Sequence, residues 1–160
     1  TAIINAGRGE VVSGKALLKC LKQKKKLRVA LDVWEKEPSI NLDLLEMIDI
    51  GTPHIAGNTI EGKLRGTWML HKAFLDWIGC PEKLVPEKNV IKSTQVENNM
   101  QTDNVPELCL QGYDIDLDDR LLRDSMHNEN RNDAVVGKIF DGLRKNYRQR
   151  HEYLTPYLQC

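Results

Sequence analysis

Short apolar runs separated by polar turns dominate residues 1–56. Strands are predicted at residues 2–5, 28–33 and 49–51, where apolar side chains cluster over strand-like lengths. Between the first two runs, Ser13 is placed to cap a helix whose apolar side chains recur at the i, i+3 and i+4 spacing. The pattern predicts a β-α-β unit, and such crossovers join parallel strands.

Polar residues of catalytic types stand just beyond these apolar runs, namely Arg8, Asp32, Glu37 and His54. Ligands of open parallel sheets lie outside the carboxyl ends of the strands, so we expect these side chains to converge on one crevice. Arg8 offers a planar fork for a carboxylate, and His54 can take or give a proton near neutral pH. Glu37 can hold that imidazole, and Asp32 can accept a hydrogen bond from a cofactor. Together they predict oxidation of an alcohol next to a carboxylate, or its reverse.

A purely structural role is the alternative for His54, because a lone histidine is more often a hydrogen-bonded surface or core group. Arg8 and Glu37 accompany it, which favours the catalytic interpretation. The glycines at 7 and 9 follow a predicted strand, but Val12 occupies the place of the third glycine in a G-x-G-x-x-G motif. We interpret this triplet as a tight turn that presents Arg8.

The rest of the chain predicts helices joined by a polar linker. Asn58 and Glu61 fit a capping box that opens a helix to Ile78, with Lys63 and Arg65 as candidates for neutralising a substrate phosphate. Domain borders are predicted as a catalytic part at residues 1–80 with its return helix, a linker at 81–106 and a small domain at 107–160.

Within the linker and the small domain the pattern predicts further elements. They are a short strand near Val90, a strand at 108–111, helices at 117–126 and 138–154, and a final strand at 154–158.

Charge and cysteine usage limit the classes of partner. The 160 residues carry 23 acidic and 23 basic side chains, so no nucleic acid partner is expected. No apolar run approaches the ~20 residues that cross a bilayer, so no membrane is expected. The four cysteines lie far apart without a C-x-x-C pair, which predicts reduced thiols in the cytoplasm and no metal site.

The stretches INAGRG, LDVWEKEP and TPHIAG together resemble the carboxyl half of the catalytic region in the D-isomer-specific 2-hydroxyacid dehydrogenases. HIAGNTIEGKLRG and FDGLRKNY are similar to a branch of that family whose substrate is a small phosphorylated 2-hydroxy acid. The resemblance implies an α/β fold: the carboxyl-terminal part of a doubly wound, Rossmann-like parallel-sheet domain, followed by a small α+β dimerisation domain. It also implies NAD as cofactor and a homodimer, with the apolar side of the 138–154 helix buried between subunits.

The resemblance also implies residue roles. Arg8 is expected to be the substrate-binding catalytic residue, Glu37 the partner of the histidine, and His54 the general acid/base. Asp32 is expected to contact the nicotinamide end of NAD, with Gly57 lending backbone near the cofactor.

Asn58 stands where relatives often carry Tyr, a position implied to touch substrate. The phosphate-binding turn of the family would lie before Thr1, so we expect this chain to be part of a longer enzyme and inactive by itself. Two alternatives stay open: a non-catalytic dimerisation or interaction module, and a 2-hydroxyacid dehydrogenase of another specificity, such as one for glycerate, lactate or phosphoglycerate.

Overall fold

The computed structural model describes residues 1–91, 106–107, 113–127 and 132–152. These residues group into two compact units. Unit 1 draws on residues 1–56 and 113–147, and unit 2 on residues 57–112 and 148–160. The predicted domain borders stay predictions.

The sheet of unit 1 has three parallel strands in the order β1-β2-β3. Its strands are β1 Ala2–Asn5, β2 Arg28–Leu31 and β3 Ile50–Gly51. In chain order the helices are α1 Gly14–Lys22, α2 Leu42–Leu45, α3 Ile60–Trp77, α4 Glu87–Val90, α5 Ile115–His127 and α6 Asp133–Lys145, and short 3₁₀ helices lie at Gly9–Val11 and Pro81–Lys83.

The predicted β-α-β unit is confirmed. β1 pairs with β2 from Ala2 opposite Arg28 to Asn5 opposite Leu31, and α1 forms the crossover. Ser13 caps α1 as predicted, because its side chain accepts a hydrogen bond from the Ala16 amide. The carboxyl ends of β1 and β2 therefore lie side by side, which is where the polar residues were expected to meet.

Helices α5 and α6 belong to the core of unit 1. Phe140 and Leu122 are fully buried, and they lie in one apolar cluster with Val29 and Leu31 of the central strand. The apolar side of the predicted 138–154 helix is therefore covered by this chain itself, and the expectation that a second subunit covers it is wrong. The helix is also shorter than predicted, because α6 ends at Lys145.

Two charged side chains of α5 bind the backbone at and beside the edge strand β3. The carboxylate of Asp119 accepts a hydrogen bond from the Gly51 amide at 2.6 Å, which satisfies a donor of the edge strand β3. Arg123 binds the same carboxylate and donates to the carbonyls of Leu45 and Ile48. The edge of β3 is thus covered by a helix that lies more than sixty residues later in the sequence.

Unit 2 is built around α3, which ends at Trp77 close to the predicted Ile78. The predicted capping box is wrong, because Thr59 is the N-cap and its Oγ1 accepts from the Gly62 amide at 3.0 Å. The predicted strand near Val90 is wrong as well, since these residues form α4. Large apolar side chains exposed on α3 are Leu64, Met69, Leu70, Phe74 and Trp77. The strands predicted at 108–111 and 154–158 lie outside the described residues.

Candidate active site

The turn after β1 presents Arg8 beyond the carboxyl end of the strand. Asn5 holds this turn from both sides: its Nδ2 donates to the Arg8 carbonyl at 3.0 Å, and its Oδ1 accepts from the Gly7 amide at 3.2 Å. The Arg8 side chain is exposed, and its Nη1 donates to the Gly7 carbonyl at 2.8 Å. Among the described residues Arg8 has no ion-pair partner, so most of its guanidinium fork is open to an anion.

Gly9 allows this turn to lie directly on the backbone of Trp34. A Cβ atom at Gly9 would stand 2.0 Å from the Trp34 carbonyl oxygen, a distance that no side chain tolerates. The Trp34 indole is buried and its Nε1 donates to the Thr52 carbonyl at 2.9 Å. The close packing supports interpretation of the Gly-Arg-Gly triplet as a tight turn.

Glu37 and His54 form a direct pair. The His54 Nδ1 lies 2.7 Å from the Glu37 Oε2, and the other carboxylate oxygen accepts from the Trp34 amide at 2.8 Å. A carboxylate only accepts, so Nδ1 carries the shared proton and Nε2 is left as the reactive nitrogen. Both side chains are partly exposed, at 32% for His54 and 18% for Glu37. The pair is thus oriented from one side and open to a ligand on the other.

The backbone of His54 is held in an uncommon conformation. Its φ is 56°, in the left-handed region that costs a non-glycine residue about 1–3 kcal/mol. The His54 amide donates to the Asp32 carbonyl at 2.8 Å, which anchors the loop to the end of β2. Such strain persists only where the surroundings fix it, and the carboxylate of Asp32 supplies that support.

Asp32 organises the loop that carries His54. Its Oδ1 accepts from the Thr52 hydroxyl at 2.6 Å and from the Ile55 amide at 2.8 Å, and its Oδ2 accepts from the Ala56 amide at 3.0 Å. The residue is only 8% exposed. Three donors around one buried carboxylate fix the chain on both sides of His54. This supporting role was not foreseen from the sequence.

The remaining candidates, Gly57 and Asn58, open unit 2. A Cβ atom at Gly57 would meet nothing within 4 Å, so the packing of this chain does not require glycine there. Asn58 is half-buried. Their expected contacts with cofactor and substrate stay predictions.

Arg65, one of the two candidates for a substrate phosphate, is already paired. Its Nε donates to Glu87 at 3.1 Å and its Nη1 to Glu152 at 2.8 Å. The hydrogen bonds that Arg65 donates to Glu152 and Glu87 raise its pKa above its ordinary value. Two carboxylates offset the positive charge of Arg65, so it is poorly placed to bind a phosphate. Lys63 is exposed and remains the better of the two candidates.

Sequence reasoning missed the residues that support the pair. Trp34 holds Glu37 through its amide and Thr52 through its indole, and Thr52 in turn holds Asp32. A tryptophan between two acidic positions carried no distinct signal. Asn5 was recognisable, because a side-chain amide at the end of a strand commonly closes the following turn.

Among the described residues, no group of three or more His, Cys, Asp or Glu side chains is arranged to hold a metal ion. Within the same residues, no helix combines the length and the apolar character that crossing a bilayer requires.

Comparison with protein families divides the chain in two. Residues 1–56 match the D-isomer specific 2-hydroxyacid dehydrogenase, NAD binding domain. Residues 84–160 match a domain of unknown function, DUF3410. The first match contains Arg8, Asp32, Glu37 and His54, so the Glu37–His54 pair lies within the residues matched to the NAD-binding domain.

Individual relatives extend the similarity over nearly the whole chain. Erythronate-4-phosphate dehydrogenase of Photorhabdus laumondii is 44% identical over 165 residues, covering 99% of this chain. The Proteus mirabilis protein of that name is 42% identical with the same coverage, and the Klebsiella pneumoniae one is 41% identical over 100% of the chain. The chain spans 41% of the length of each relative. It is thus similar over nearly its whole length to part of erythronate-4-phosphate dehydrogenase, and residues 1–56 match the NAD-binding domain of the D-isomer-specific 2-hydroxyacid dehydrogenases.

Proposed function

We propose that this chain carries the acid/base centre of an NAD-dependent dehydrogenase that oxidises 4-phospho-D-erythronate at C2 to the 2-oxo acid. This reaction would serve pyridoxine and pyridoxal phosphate biosynthesis. The observation that carries the proposal is the 2.7 Å pair of Glu37 and His54 within the match to an NAD-binding domain. The name shared by these relatives supports the choice of substrate.

The described side chains suit each part of this chemistry. The exposed fork of Arg8 binds the carboxylate of the hydroxy acid in bidentate fashion. The Nε2 of His54 takes the C2 hydroxyl proton during oxidation, and the Glu37 carboxylate stabilises the imidazolium that forms. NAD, when bound, supplies the hydride acceptor. In the reverse direction His54 returns the proton to the carbonyl oxygen.

The residues at this edge of the sheet fit a nicotinamide cofactor. The Oδ2 of Asp32 accepts one hydrogen bond, from the Ala56 amide, and a carboxylate oxygen can accept a second. A carboxamide donor is therefore a suitable partner for Asp32. Gly57 follows the His54 loop in the sequence, and its lack of a side chain would let a ring approach the backbone closely.

A homodimer remains part of the proposal, although the surface first expected to form it is internal. Sedimentation of the chain at micromolar concentration measures its mass directly, and a stable folded monomer would remove the dimer from the proposal. The cytoplasmic location stays a prediction.

A graft tests the activity. Residues 1–160 of this chain replace the aligned part of the Photorhabdus relative, and NADH formation from 4-phosphoerythronate is followed. We expect turnover in the graft, and a loss of about 10²–10⁴-fold in kcat on replacing His54 by Ala, because a general acid/base contributes that much. His71→Ala is the matched control, since His71 is exposed on α3.

The same graft separates the alternatives. Glycerate, lactate or 3-phosphoglycerate turned over with a higher kcat/KM than 4-phosphoerythronate would mean another specificity. A folded graft that reduces no NAD with any of these acids, beside an active relative, would refute the proposed catalytic function. Glu37→Gln should lower kcat while leaving KM for the acid unchanged, since Glu37 touches His54 and not the substrate.

A further inference from the structure

A polar cluster in unit 2 joins the start of α3 to residues 150–152. The carboxylate of Glu61 is 4% exposed; its Oε1 lies 2.7 Å from the His151 Nδ1, and its Oε2 accepts from the Glu152 amide at 2.8 Å. The Ile60 amide, which has no partner within the helix, donates to the Arg150 carbonyl at 2.9 Å. Residues 150–152 therefore cap α3 from far along the chain.

The side chain of Glu152 completes the cluster. Its Oε1 accepts from the Thr59 hydroxyl at 2.9 Å, and its Oε2 accepts from Arg65 at 2.8 Å. Thr59 is itself buried and is the N-cap of α3. Two carboxylates, from Glu61 and Glu152, thus lie at the positive end of the helix dipole, where negative charge is favoured.

Gly62 permits the close approach of Thr59 and Glu152 at the start of α3. A Cβ atom at Gly62 would stand 2.6 Å from the Thr59 Oγ1 and 3.0 Å from the Glu152 Oε1. Glycine in a helix is otherwise less favourable than alanine. Gly66, one turn later, would meet nothing within 4 Å, so only Gly62 is required by the cluster.

The charge of Glu61 is maintained in this buried position. Burial raises the pKa of its carboxyl, but the hydrogen bonds from His151 and from the Glu152 amide together lower it by more, and the net pKa lies below its ordinary value. An ionised carboxylate fixes the direction of its donors as well as their distance, which an apolar contact does not.

The cluster also fixes the turn that follows the His54 loop. The Thr59 amide donates to the Gly57 carbonyl at 3.0 Å, and Thr59 is bound by Glu152 on its other side. Asn58 lies between these two anchored residues. Its backbone is therefore set by contacts that begin at residues 150–152.

We propose that residues 150–152 form a positioning segment for the turn that carries Asn58: they clamp the start of α3 and so fix residues Gly57–Thr59. This assigns a role to residues 150–152, which lie within the DUF3410 match. Its effect on substrate rests on the proposed function, whereas its effect on the turn does not. Glu61 and His151 are accordingly positioning residues and do not touch the reacting atoms.

Amide hydrogen exchange of the 160-residue chain tests the clamp. His151→Ala should accelerate exchange of the Thr59, Ile60 and Glu152 amides by about tenfold. The Glu61 carboxylate loses one of its donors in this variant, so the contact between α3 and residues 150–152 opens more often. His151→Asn should restore slow exchange, since its side-chain amide replaces the Nδ1 donor. Unchanged exchange at these three amides in His151→Ala would overturn the proposal.

Substitution of two glycines of α3 provides a second test, which stays informative if the His151 variants do not fold. Gly62→Ala should accelerate the same amides, whereas Gly66→Ala should leave them unchanged or slow them. If Gly62 is only a helix residue, both variants should slow exchange, because alanine then strengthens the helix at both positions. Equal slowing in both variants would refute the clamp.

Kinetics in the active graft test the link to substrate. His151→Ala should raise KM for 4-phosphoerythronate by about tenfold with little change in kcat, since only the substrate-facing turn is loosened. Accelerated exchange with unchanged KM would overturn the positioning role. A graft with no dehydrogenase activity would refute the proposed function instead, and exchange at the turn would still decide whether the clamp exists.

Discussion

Replacing Asp32 by Asn should release the loop that carries His54. The carboxylate of Asp32 accepts three hydrogen bonds at 2.6–3.0 Å while only 8% exposed. In the variant one oxygen becomes an amide group that donates, and it would face the Ala56 amide at the Oδ2 position. That bond is lost and the charge is removed from the other two.

The structure gives the magnitude of this loss. A hydrogen bond to a charged acceptor is worth about 1.5–3 kcal/mol, and charge assistance roughly doubles the strength of each of the others. We therefore expect a loss of about 3–6 kcal/mol in the free energy of unfolding of unit 1. Thr52→Val removes a single donor to the same carboxylate and should cost only about 1.5–3 kcal/mol.

Urea unfolding followed by tryptophan fluorescence in a Trp68→Phe, Trp77→Phe background measures both variants, because the remaining tryptophan, Trp34, is buried in unit 1. A loss below about 0.5 kcal/mol for Asp32→Asn would refute the supporting role of the carboxylate. Equal losses in Asp32→Asn and Thr52→Val would show that the backbone amides at 55 and 56 contribute nothing.

Three further perturbations test the rest of unit 1. Gly9→Ala should cost about 1–3 kcal/mol by forcing a Cβ atom onto the Trp34 carbonyl, and an unchanged urea midpoint would contradict this packing. Phe140→Ala should cost about 3–5 kcal/mol, because Phe140 is fully buried, and a loss below about 1 kcal/mol would place α6 outside the core. Hydrogen bonding by Arg28 lowers the pKa of Asp49 below its ordinary value of 3.8. The stability that the ionised Asp49 gives the folded chain is therefore present above that value and is lost as pH falls through the folded-state pKa. Asp49→Asn should therefore lose less stability than the parent chain between about pH 6 and about pH 2, and equal acid sensitivity would contradict the prediction.

Local patterns predicted the sheet and its crossover because these elements depend on neighbours in sequence. The apolar run at Ala2–Asn5 and the cap at Ser13 each act over a few residues, and both were found where expected. The convergence of Glu37 and His54 also followed, since parallel strands bring their carboxyl ends to one edge of the sheet. Their catalytic roles remain predictions.

Contacts between distant segments could not be predicted in the same way. α5 was expected as a helix, but nothing in its pattern indicated that Asp119 binds the Gly51 amide of the edge strand. The apolar periodicity of α6 fits burial in a subunit interface, as was predicted, and it fits burial in an internal core as well. Periodicity shows that such a face is buried, and it does not show by what.

The predicted capping box at the start of α3 does not form because Glu61 has partners elsewhere in the chain. Its spacing from Asn58 fits a capping box, a local interaction that competes with any tertiary use of the same carboxylate. In the folded chain the carboxylate binds His151 and the Glu152 amide, and Thr59 provides the cap from one position later. A local cap contributes about 1 kcal/mol, whereas two donors to a buried charge contribute more, so the tertiary arrangement prevails. The shift of the cap by one residue is thus a consequence of the contact with residues 150–152.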